Sequence, residues 1–391
     1  MPRRKTRFAR RGTVVVLLAV CLVLIVGMAA LAIDLARVNL ARAELQSAAD
    51  SAALAGAGVL LNEGRLKGPE QLQLMFAQAR ATAAAYAARN PVMGQALSVD
   101  LNAANASDGE IVIGYLGDPT NHAAPLVYSD PAAFNTIRVQ VFRNEGRNGS
   151  IAMTFAQLLG HQSSSVAATA AASFQDGIVG FSVSEGKPNA ELMPFALHVD
   201  AWIALLRTAA STANDGFRYD PQTHTVSSGS DGIPELNIYP GGGSGQLPPG
   251  NFGTVDIGSS NNSTADISRQ IRDGVSAADL AYFGGELCLG PDGMLLLNGD
   301  TGLSAAVKDD VRAILGQPRV VPLFRCVAGP GNNSYFTIVG FAGLRVVEVE
   351  LGGSMSHKRL MVQPAPVVDG SALSGGNGNS YYVYRPIMLS R

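Results

Sequence analysis

Apolar residues form a continuous run near the start of the chain. From Thr13 to Ile33 there are 21 residues without a charged side chain, most of them Val, Leu, Ile and Ala. A helix of this length spans about 30 Å, which matches the hydrocarbon core of a bilayer. A lone strand would leave its backbone groups without partners in lipid, whereas a helix satisfies them internally. The pattern therefore predicts a single transmembrane helix over residues 13–33.

Helical periodicity continues beyond this run. Apolar residues recur at steps of three and four at Leu31, Leu35, Val38, Leu45, Ala49 and Ala52. This spacing predicts a stalk helix over residues 34–58, with Asp34 and Arg37 close enough to pair near the membrane surface. The Ala-rich end has two open interpretations. It is either the buried face of an ordinary core helix or a packing surface for a partner helix.

A second helix and several strands are expected up to residue 175. Pro69 suits a first helical turn, and Asn90-Pro91 ends the pattern, so a helix is predicted over Glu70–Arg89. Strand-like segments are Leu97–Leu101, Gly109–Leu116, Thr136–Arg143 and Ser164–Ser173, and Met153–Gly160 is helix-like. Residues 34–175 are thus predicted to be a long helix packed on a small antiparallel sheet, similar in outline to a pilin head.

Residues 176–391 alternate mainly with the period of β-strands. A helix is predicted over Thr264–Phe283, a loop over Pro240–Asn251, and a hairpin from Arg319–Val327 and Tyr335–Leu351. Further strands are predicted at Phe195–Val199, Leu236–Tyr239, Arg359–Gln363 and Tyr381–Leu389. The predicted fold class is α+β, with a transmembrane helix that continues into a stalk, a helix-on-sheet domain, and a β-rich C-terminal domain.

The flanking charges predict the orientation of the anchor. The segment before the apolar run contains the basic residues Arg3, Arg4, Lys5, Arg7, Arg10 and Arg11, and the first acidic residue is Asp34. The positive-inside rule places residues 1–12 in the cytoplasm as a basic tail and everything after Asp34 outside. We therefore expect a single-pass protein of the bacterial inner (plasma) membrane with extracytoplasmic, periplasmic domains.

Two processing events compete with a retained anchor. A signal peptidase could cleave after the small-x-small sequence Ala30-Leu31-Ala32, although the apolar run is longer than a usual signal core. Arg10-Arg11-Gly12 resembles a prepilin leader, but Leu17 stands where pilins normally have Glu. Retention is the expectation, and cleavage stays open.

The bulk composition narrows the classes of function. The chain of 391 residues is 47% apolar and 15% charged with a net charge of −2, so outside the basic N-terminal tail nothing predicts a nucleic-acid partner. Cys288 and Cys326 either pair in an oxidising compartment or pack as buried thiols. The histidines are isolated in sequence and no CxxC occurs, which disfavours zinc; they are His122, His161, His198, His224 and His357.

Sequence signatures of catalysis are absent. There is no GxSxG, HExxH or P-loop, and Gly186-Lys187 is followed by Pro188. Asp256, Gly258 and Ser260 form D-x-G-x-S, which resembles the D-x-S-x-S cation motif of integrin-like domains but lacks one hydroxyl; a turn in a Gly/Ser/Asn loop is the preferred explanation. Asp309-Asp310 and Glu348/Glu350 fit solvated faces. We predict no enzyme, with no catalytic, cofactor-binding or metal residues, no cofactor and no small-molecule substrate.

The order of elements in the first 57 residues resembles a known family. Arg-Arg-Gly, an apolar helix, Asp34, Arg37, Ala43–Leu45 and then Asp-Ser-Ala-Ala-Leu-Ala from Asp50 follow one another as in the TadG-like proteins of Flp (tight-adherence) pilus assembly. The resemblance extends weakly to about residue 175. It implies a non-catalytic, membrane-anchored protein with partners in a pilus assembly complex or a related secretion system. The alternative function is a secreted or anchored metal-dependent adhesion module that uses Asp256.

Overall fold

The computed structural model describes residues 13–121, 123–208, 214–239, 252–260, 262–300, 304–329, 334–354, 357–376 and 378–390. The basic tail 1–12, His122 and the predicted loop Pro240–Asn251 lie outside the described residues.

The predicted transmembrane and stalk segments form one continuous helix. Within the described residues the α-helices are α1 (Thr13–Val59), α2 (Pro69–Arg89), α3 (Val199–Thr208), α4 (Thr264–Asp273), α5 (Ala277–Ala281) and α6 (Lys308–Ala313). Short 3-10 helices are Glu63–Leu66, Pro131–Ala133, Ala156–Leu159 and Ala305–Val307. The prediction of a second helix over Glu70–Arg89 is confirmed by α2.

Strands occupy most of the remaining regular structure. Up to Ser173 they are β1 (Ile111–Gly114), β2 (Thr136–Arg143), β3 (Ile151–Ala152), β4 (Ser163–Ser164) and β5 (Val166–Ser173). Those that follow, up to Ala328, are β6 (Ile178–Ser182), β7 (Phe195–His198), β8 (Phe217–Asp220), β9 (Thr225–Ser228), β10 (Leu236–Asn237), β11 (Phe252–Val255), β12 (Glu286–Cys288), β13 (Leu295–Asp300) and β14 (Pro318–Ala328). The last are β15 (Ser334–Glu350), β16 (Arg359–Pro364), β17 (Val367–Val368), β18 (Ala372–Ser374), β19 (Ser380–Tyr381), β20 (Val383–Tyr384) and β21 (Met388–Ser390).

The chain divides into two compact units. Unit 1 consists of the described parts of Met1–Ala55, Arg80–Val112 and Ile137–Ala171. Unit 2 consists of the described parts of Gly56–Ala79, Ile113–Thr136 and Ala172–Arg391.

Unit 1 contains most of α1 and the strands predicted before residue 175. The predictions around Gly109–Leu116, Thr136–Arg143 and Ser164–Ser173 are confirmed by β1, β2 and β5, which are neighbours in one sheet in the order β1-β2-β5. The odd-numbered residues Ile137, Val139 and Val141 are buried, which is the period expected of a strand with one face in a core.

Two predictions in this region are wrong. Leu97–Leu101 is not a strand, because its backbone pairs with side chains instead: Asn148 accepts from Ser98 N and Glu110 accepts from Asp100 N, both at 2.7 Å. Met153–Gly160 is not an α-helix, since only one 3-10 turn forms and Gly160 ends it with a left-handed φ of 89°.

Unit 2 is built around a closed ring of strands. The large sheet runs β10-β16-β15-β13-β11-β7-β14, and β14 also pairs with β15, so β15, β13, β11, β7 and β14 close on themselves. Closure removes exposed strand edges from this ring. The predicted hairpin is confirmed, because β14 and β15 pair antiparallel from Pro318↔Arg345 to Ala328↔Tyr335.

Two apolar cores fill this unit. One core contains Trp202, Phe195 and Leu344, and the other contains Phe181, Phe336 and Phe341. The middle of β15 is buried at every position, so its continuous apolar run packs on both faces.

The predicted helix Thr264–Phe283 is broken into α4 and α5. Gly274 has φ 76° and an added Cβ would lie 2.1 Å from the carbonyl oxygen of Ala190. Ser263 and Ser276 each begin a helix with a capping box. The continuous helical prediction is therefore wrong at Gly274, where the chain turns to approach Ala190.

Three strand predictions also need shorter bounds. β7 ends at His198 because Val199 begins α3. This helix is not predicted from the sequence. β10 covers only Leu236–Asn237. Tyr381–Leu389 is split among β19, β20 and β21, whereas Arg359–Gln363 is confirmed by β16.

Candidate functional site at the N-terminal helix

The first half of α1 presents apolar side chains on every side. Val14, Leu18 and Met28 are 63%, 64% and 72% exposed, and nothing in the described chain covers this segment. Within the part of the chain that the structure describes, α1 is the helix that is long and apolar enough to cross a membrane. An uncovered apolar surface of this size requires a non-aqueous environment, so it fits a single-pass membrane anchor.

Asp34 binds a distant loop at the point where the apolar run ends. Its side chain is only 3% exposed, and its carboxylate accepts hydrogen bonds from the backbone N–H groups of Thr154, Phe155 and Ala156 at 2.8, 2.8 and 2.7 Å. The Arg37 guanidinium donates to Thr154 Oγ1. These two charged residues, predicted to pair with each other, thus hold the same loop against α1.

The loop held by Asp34 connects β3 to β4 within unit 1. Its 3-10 turn has no capping side chain of its own, and Asp34 fills that role from α1. Leu158 and Leu159 are the last two residues of the turn and are 83% and 67% exposed. Sequence reasoning missed this contact because a carboxylate 120 residues away leaves no local signal.

The Ala-rich track of α1 is buried within unit 1. Ala48, Ala49 and Ala52 have no exposed surface. On the neighbouring turns, Gln46 donates to the carbonyl oxygen of Thr169 at 3.2 Å, and Asn90 donates to Ser51 Oγ at 2.8 Å. The core-helix interpretation therefore holds for this track, and a partner helix is not needed to explain it.

The opposite side of the stalk is exposed. Leu40 and Leu54 are 53% and 38% exposed, and Ser47 between them is also exposed. This face, rather than the Ala-rich one, is the surface of the stalk that a partner protein can contact.

The D-x-G-x-S segment forms a closed loop after β11. Asp256 is 7% exposed, and its carboxylate accepts from the backbone N–H of Asn262 at 2.9 Å. Burial raises the pKa of Asp256, the Asn262 hydrogen bond lowers it, and the nearby Asp300 raises it, with a net increase. Gly258 has φ 101°, and an added Cβ would lie 2.9 Å from Asp279 Oδ1. Glycine at this position thus has a structural reason that is independent of any cation.

Acidic side chains in the described regions do not gather into a metal site. No group of three or more His, Cys, Asp or Glu in those regions is placed to hold an ion. The pairs noted in the sequence join ion pairs instead, since Asp310 lies 2.9 Å from Arg272 and Glu350 lies 2.6 Å from Lys308.

Both cysteines of the C-terminal region are free thiols. Cys288 lies on β12 and is half-buried, and burial raises the pKa of its thiol. Cys326 lies on β14, is exposed, and donates to Thr337 Oγ1 at 3.3 Å. Of the two alternatives, a disulfide or two unpaired thiols, the structure therefore has the two unpaired thiols.

Unit 2 has a groove of about 610 Å³ that the sequence did not indicate. Arg345, 2% exposed, lies there with its guanidinium 3.5 Å from the ring centroid of Tyr219 and paired with the Glu63 carboxylate. His224 Nδ1 lies 2.9 Å from Tyr219 Oη. A single arginine within the apolar run of β15 was the available signal, because a cation in a buried strand requires partners.

Comparison with known protein families agrees with the N-terminal geometry. Residues 12–59 match the family model described as Flp pilus-assembly TadE/G-like. Residues 55–172 match a second model, described as Tad-like Flp pilus-assembly. No curated protein and no solved structure matches the chain. Together the two models cover residues 12–172, so the N-terminal part of the chain, with α1, α2, β1 to β4 and most of β5, is similar to Tad-like proteins of Flp pilus assembly.

Proposed function

We propose that the protein is a non-catalytic component of the Flp pilus assembly machinery, anchored in the inner membrane by residues 13–33. The observation that carries the proposal is the form of α1. One helix combines a fully exposed apolar half with a half that is built into a folded unit, so the anchor and the first folded unit share a rigid element. The family match supports the role in pilus assembly.

The basic residues before Thr13 support a cytoplasmic N-terminus with the domains outside. In this arrangement residues 34–175 and 176–391 act as two extracytoplasmic domains. Tethering raises their effective concentration near other membrane proteins of the machine. The exposed side of the stalk, with Leu40 and Leu54, offers a contact for such proteins.

A clean deletion strain tests the role in assembly. We expect surface fibres and adherence to be lost while the amount of pilin stays normal, and a full-length gene to restore both. Fibres at the normal level in the deletion strain would exclude an assembly role. Loss of pilin itself would indicate an effect on subunit stability instead.

A second test addresses anchoring and orientation. A C-terminal tag should be digested by protease added to spheroplasts, and an N-terminal tag should be protected. The retained anchor predicts that both tags are on one band that stays in the membrane after a carbonate wash. Separation of the N-terminal tag from the rest would instead identify a cleaved signal or prepilin leader.

A further inference from the structure

The loop between β3 and β4 exposes apolar side chains that the folded chain leaves uncovered. Leu158 is 83% exposed, Leu159 is 67% exposed and Phe155 is 36% exposed. Adjacent exposed leucines on a short turn are costly in water, because their apolar surface gains nothing from folding. The loop therefore needs a partner of apolar chemistry.

The position of the loop along α1 is fixed by Asp34. This residue directly follows the predicted membrane span, and its carboxylate holds three consecutive backbone N–H groups of the loop. Leu158 lies only two residues beyond the last of them, Ala156. The exposed leucines are thus held near the level at which the apolar half of α1 ends.

The chemistry of the surrounding sequence suits a lipid surface. No Asp, Glu, Lys or Arg occurs between Arg147 and Asp176. The polar residues beside the leucines are uncharged amide and hydroxyl groups together with His161. Charged side chains are costly inside a bilayer, and their absence over this whole segment removes that cost.

The backbone of the turn is also prepared for a less polar environment. The N–H of Leu158 donates to the Phe155 carbonyl oxygen at 3.0 Å, and the N–H of His161 donates to the Ala156 carbonyl oxygen at 3.1 Å. Gly160 donates to the Gln157 carbonyl oxygen at 3.1 Å. Internal hydrogen bonds are required wherever water is scarce, as at the boundary of headgroups and acyl chains.

We propose that Phe155, Leu158 and Leu159 insert into the outer leaflet beside α1, as a second membrane contact. The proposal rests on the anchoring of residues 13–33 put forward above. Two contacts, joined by Asp34, restrict the tilt and rotation of the stalk relative to the bilayer. The occupant of this surface is lipid, rather than a second copy of the chain or another protein.

The test uses full-length protein in nanodiscs of phosphatidylethanolamine and phosphatidylglycerol. Single cysteines carry an environment-sensitive fluorophore, in a background of Cys21→Ala, Cys288→Ala and Cys326→Ser. The test positions are Leu158→Cys and Leu159→Cys. Leu31→Cys reports the anchor, and Ser47→Cys is the matched aqueous control, exposed on α1 about 20 Å beyond Asp34.

Quenching by nitroxide-labelled lipid and by aqueous iodide separates the outcomes. We expect the two loop positions to behave like Leu31, with lipid quenching at least about threefold above that at Ser47 and little effect of iodide. Iodide quenching at the loop with lipid quenching at Leu31 would overturn the inserted loop and leave the anchor intact. Iodide quenching at Leu31 would overturn the anchor itself. Protection of the loop from both quenchers would overturn lipid as the occupant in favour of a protein partner.

Discussion

At the residue scale, Asp34 has a role that its neighbours in sequence do not reveal. In the sequence, an aspartate directly after an apolar run marks the end of the predicted membrane span. The helical spacing further predicts only that Asp34 pairs with Arg37. In the structure the carboxylate accepts three backbone hydrogen bonds from residues 154–156. Hydrogen bonds to a charged acceptor are stronger than neutral ones, so this single side chain orders the loop.

Replacement of Asp34 should release this loop. In Asp34→Asn the amide group accepts through only one oxygen, so we expect hydrogen exchange at Thr154, Phe155 and Ala156 to accelerate by about tenfold or more. Hydrogen–deuterium exchange of the full chain measures the change. Asp50→Asn is the control, because Asp50 on the same helix accepts from the Gln46 side chain. Equal exchange at the three loop amides in wild type and Asp34→Asn would refute the clamp.

Glu235 is expected to make the stability depend on pH. Burial raises its pKa to about 7, although the N–H groups of Gly216 and Phe217 lower it, and Asp215 and Asp231 raise it further. The folded state then binds the proton more tightly than the unfolded state, whose pKa is near 4.5. The free energy of unfolding should therefore fall as the pH rises from about 4.5 to 7, by at most about 3 kcal/mol.

Denaturant unfolding of the full chain across this pH window provides the measurement. Glu235→Gln should make the slope shallower, since the substituted side chain does not titrate. Glu185→Gln, at an exposed position, should keep the wild-type slope. An unchanged slope in Glu235→Gln would assign the pH dependence to another group.

At the scale of elements, local patterns were sufficient where an element keeps the same surroundings along its whole length. α2 and the hairpin of β14 and β15 follow their predicted bounds closely, because their apolar spacing reflects one continuous environment. The predictions are wrong where a residue distant in sequence determines the local structure. Gly274 interrupts a continuous helical pattern because it lies against Ala190. Leu97–Leu101 does not pair as a strand because its backbone N–H groups donate to the side chains of Asn148 and Glu110.

Two glycines separate the effect of backbone conformation from that of close contact. Gly274→Ala should destabilise the chain by about 3 kcal/mol or more, because it adds a contact with the Ala190 carbonyl oxygen to the strain of a positive φ. Gly284 has φ 80° with no atom near its missing Cβ, so Gly284→Ala should cost only about 1–2 kcal/mol. Thermal or denaturant unfolding compares the two. Equal costs would show that the contact with Ala190 relaxes freely.

At the scale of the whole molecule, connectivity alone does not reveal how the β-rich part closes. The parallel pairing of β7 with β14 joins residues more than 120 positions apart, and it closes the ring begun by the local hairpin. Closure depends on the summed burial in two cores rather than on any one motif. The strand patterns predicted a β-rich domain, and the ring is a property of the assembled chain.

The same assembly decides the state of the cysteines. Cys288 and Cys326 lie in different sheets as free thiols, so we expect three reactive thiols per denatured chain, including Cys21. Reducing agent should leave the unfolding temperature unchanged. A thiol count under non-reducing denaturing conditions measures this directly. One thiol per chain, with a lower unfolding temperature after reduction, would demonstrate a disulfide between Cys288 and Cys326.

Four properties are predictable from the order of residues: the apolar span, its continuation into the stalk, the family resemblance of the N-terminal region and the α+β class. These properties follow from composition and short-range periodicity, which depend only on residues that are close together in the sequence. Three others are visible only in the folded chain: the Ala-rich track is internal, Asp34 caps a loop 120 residues away, and five strands close into a ring. Those features depend on which distant groups meet, and a distant partner leaves no periodic trace in a single chain.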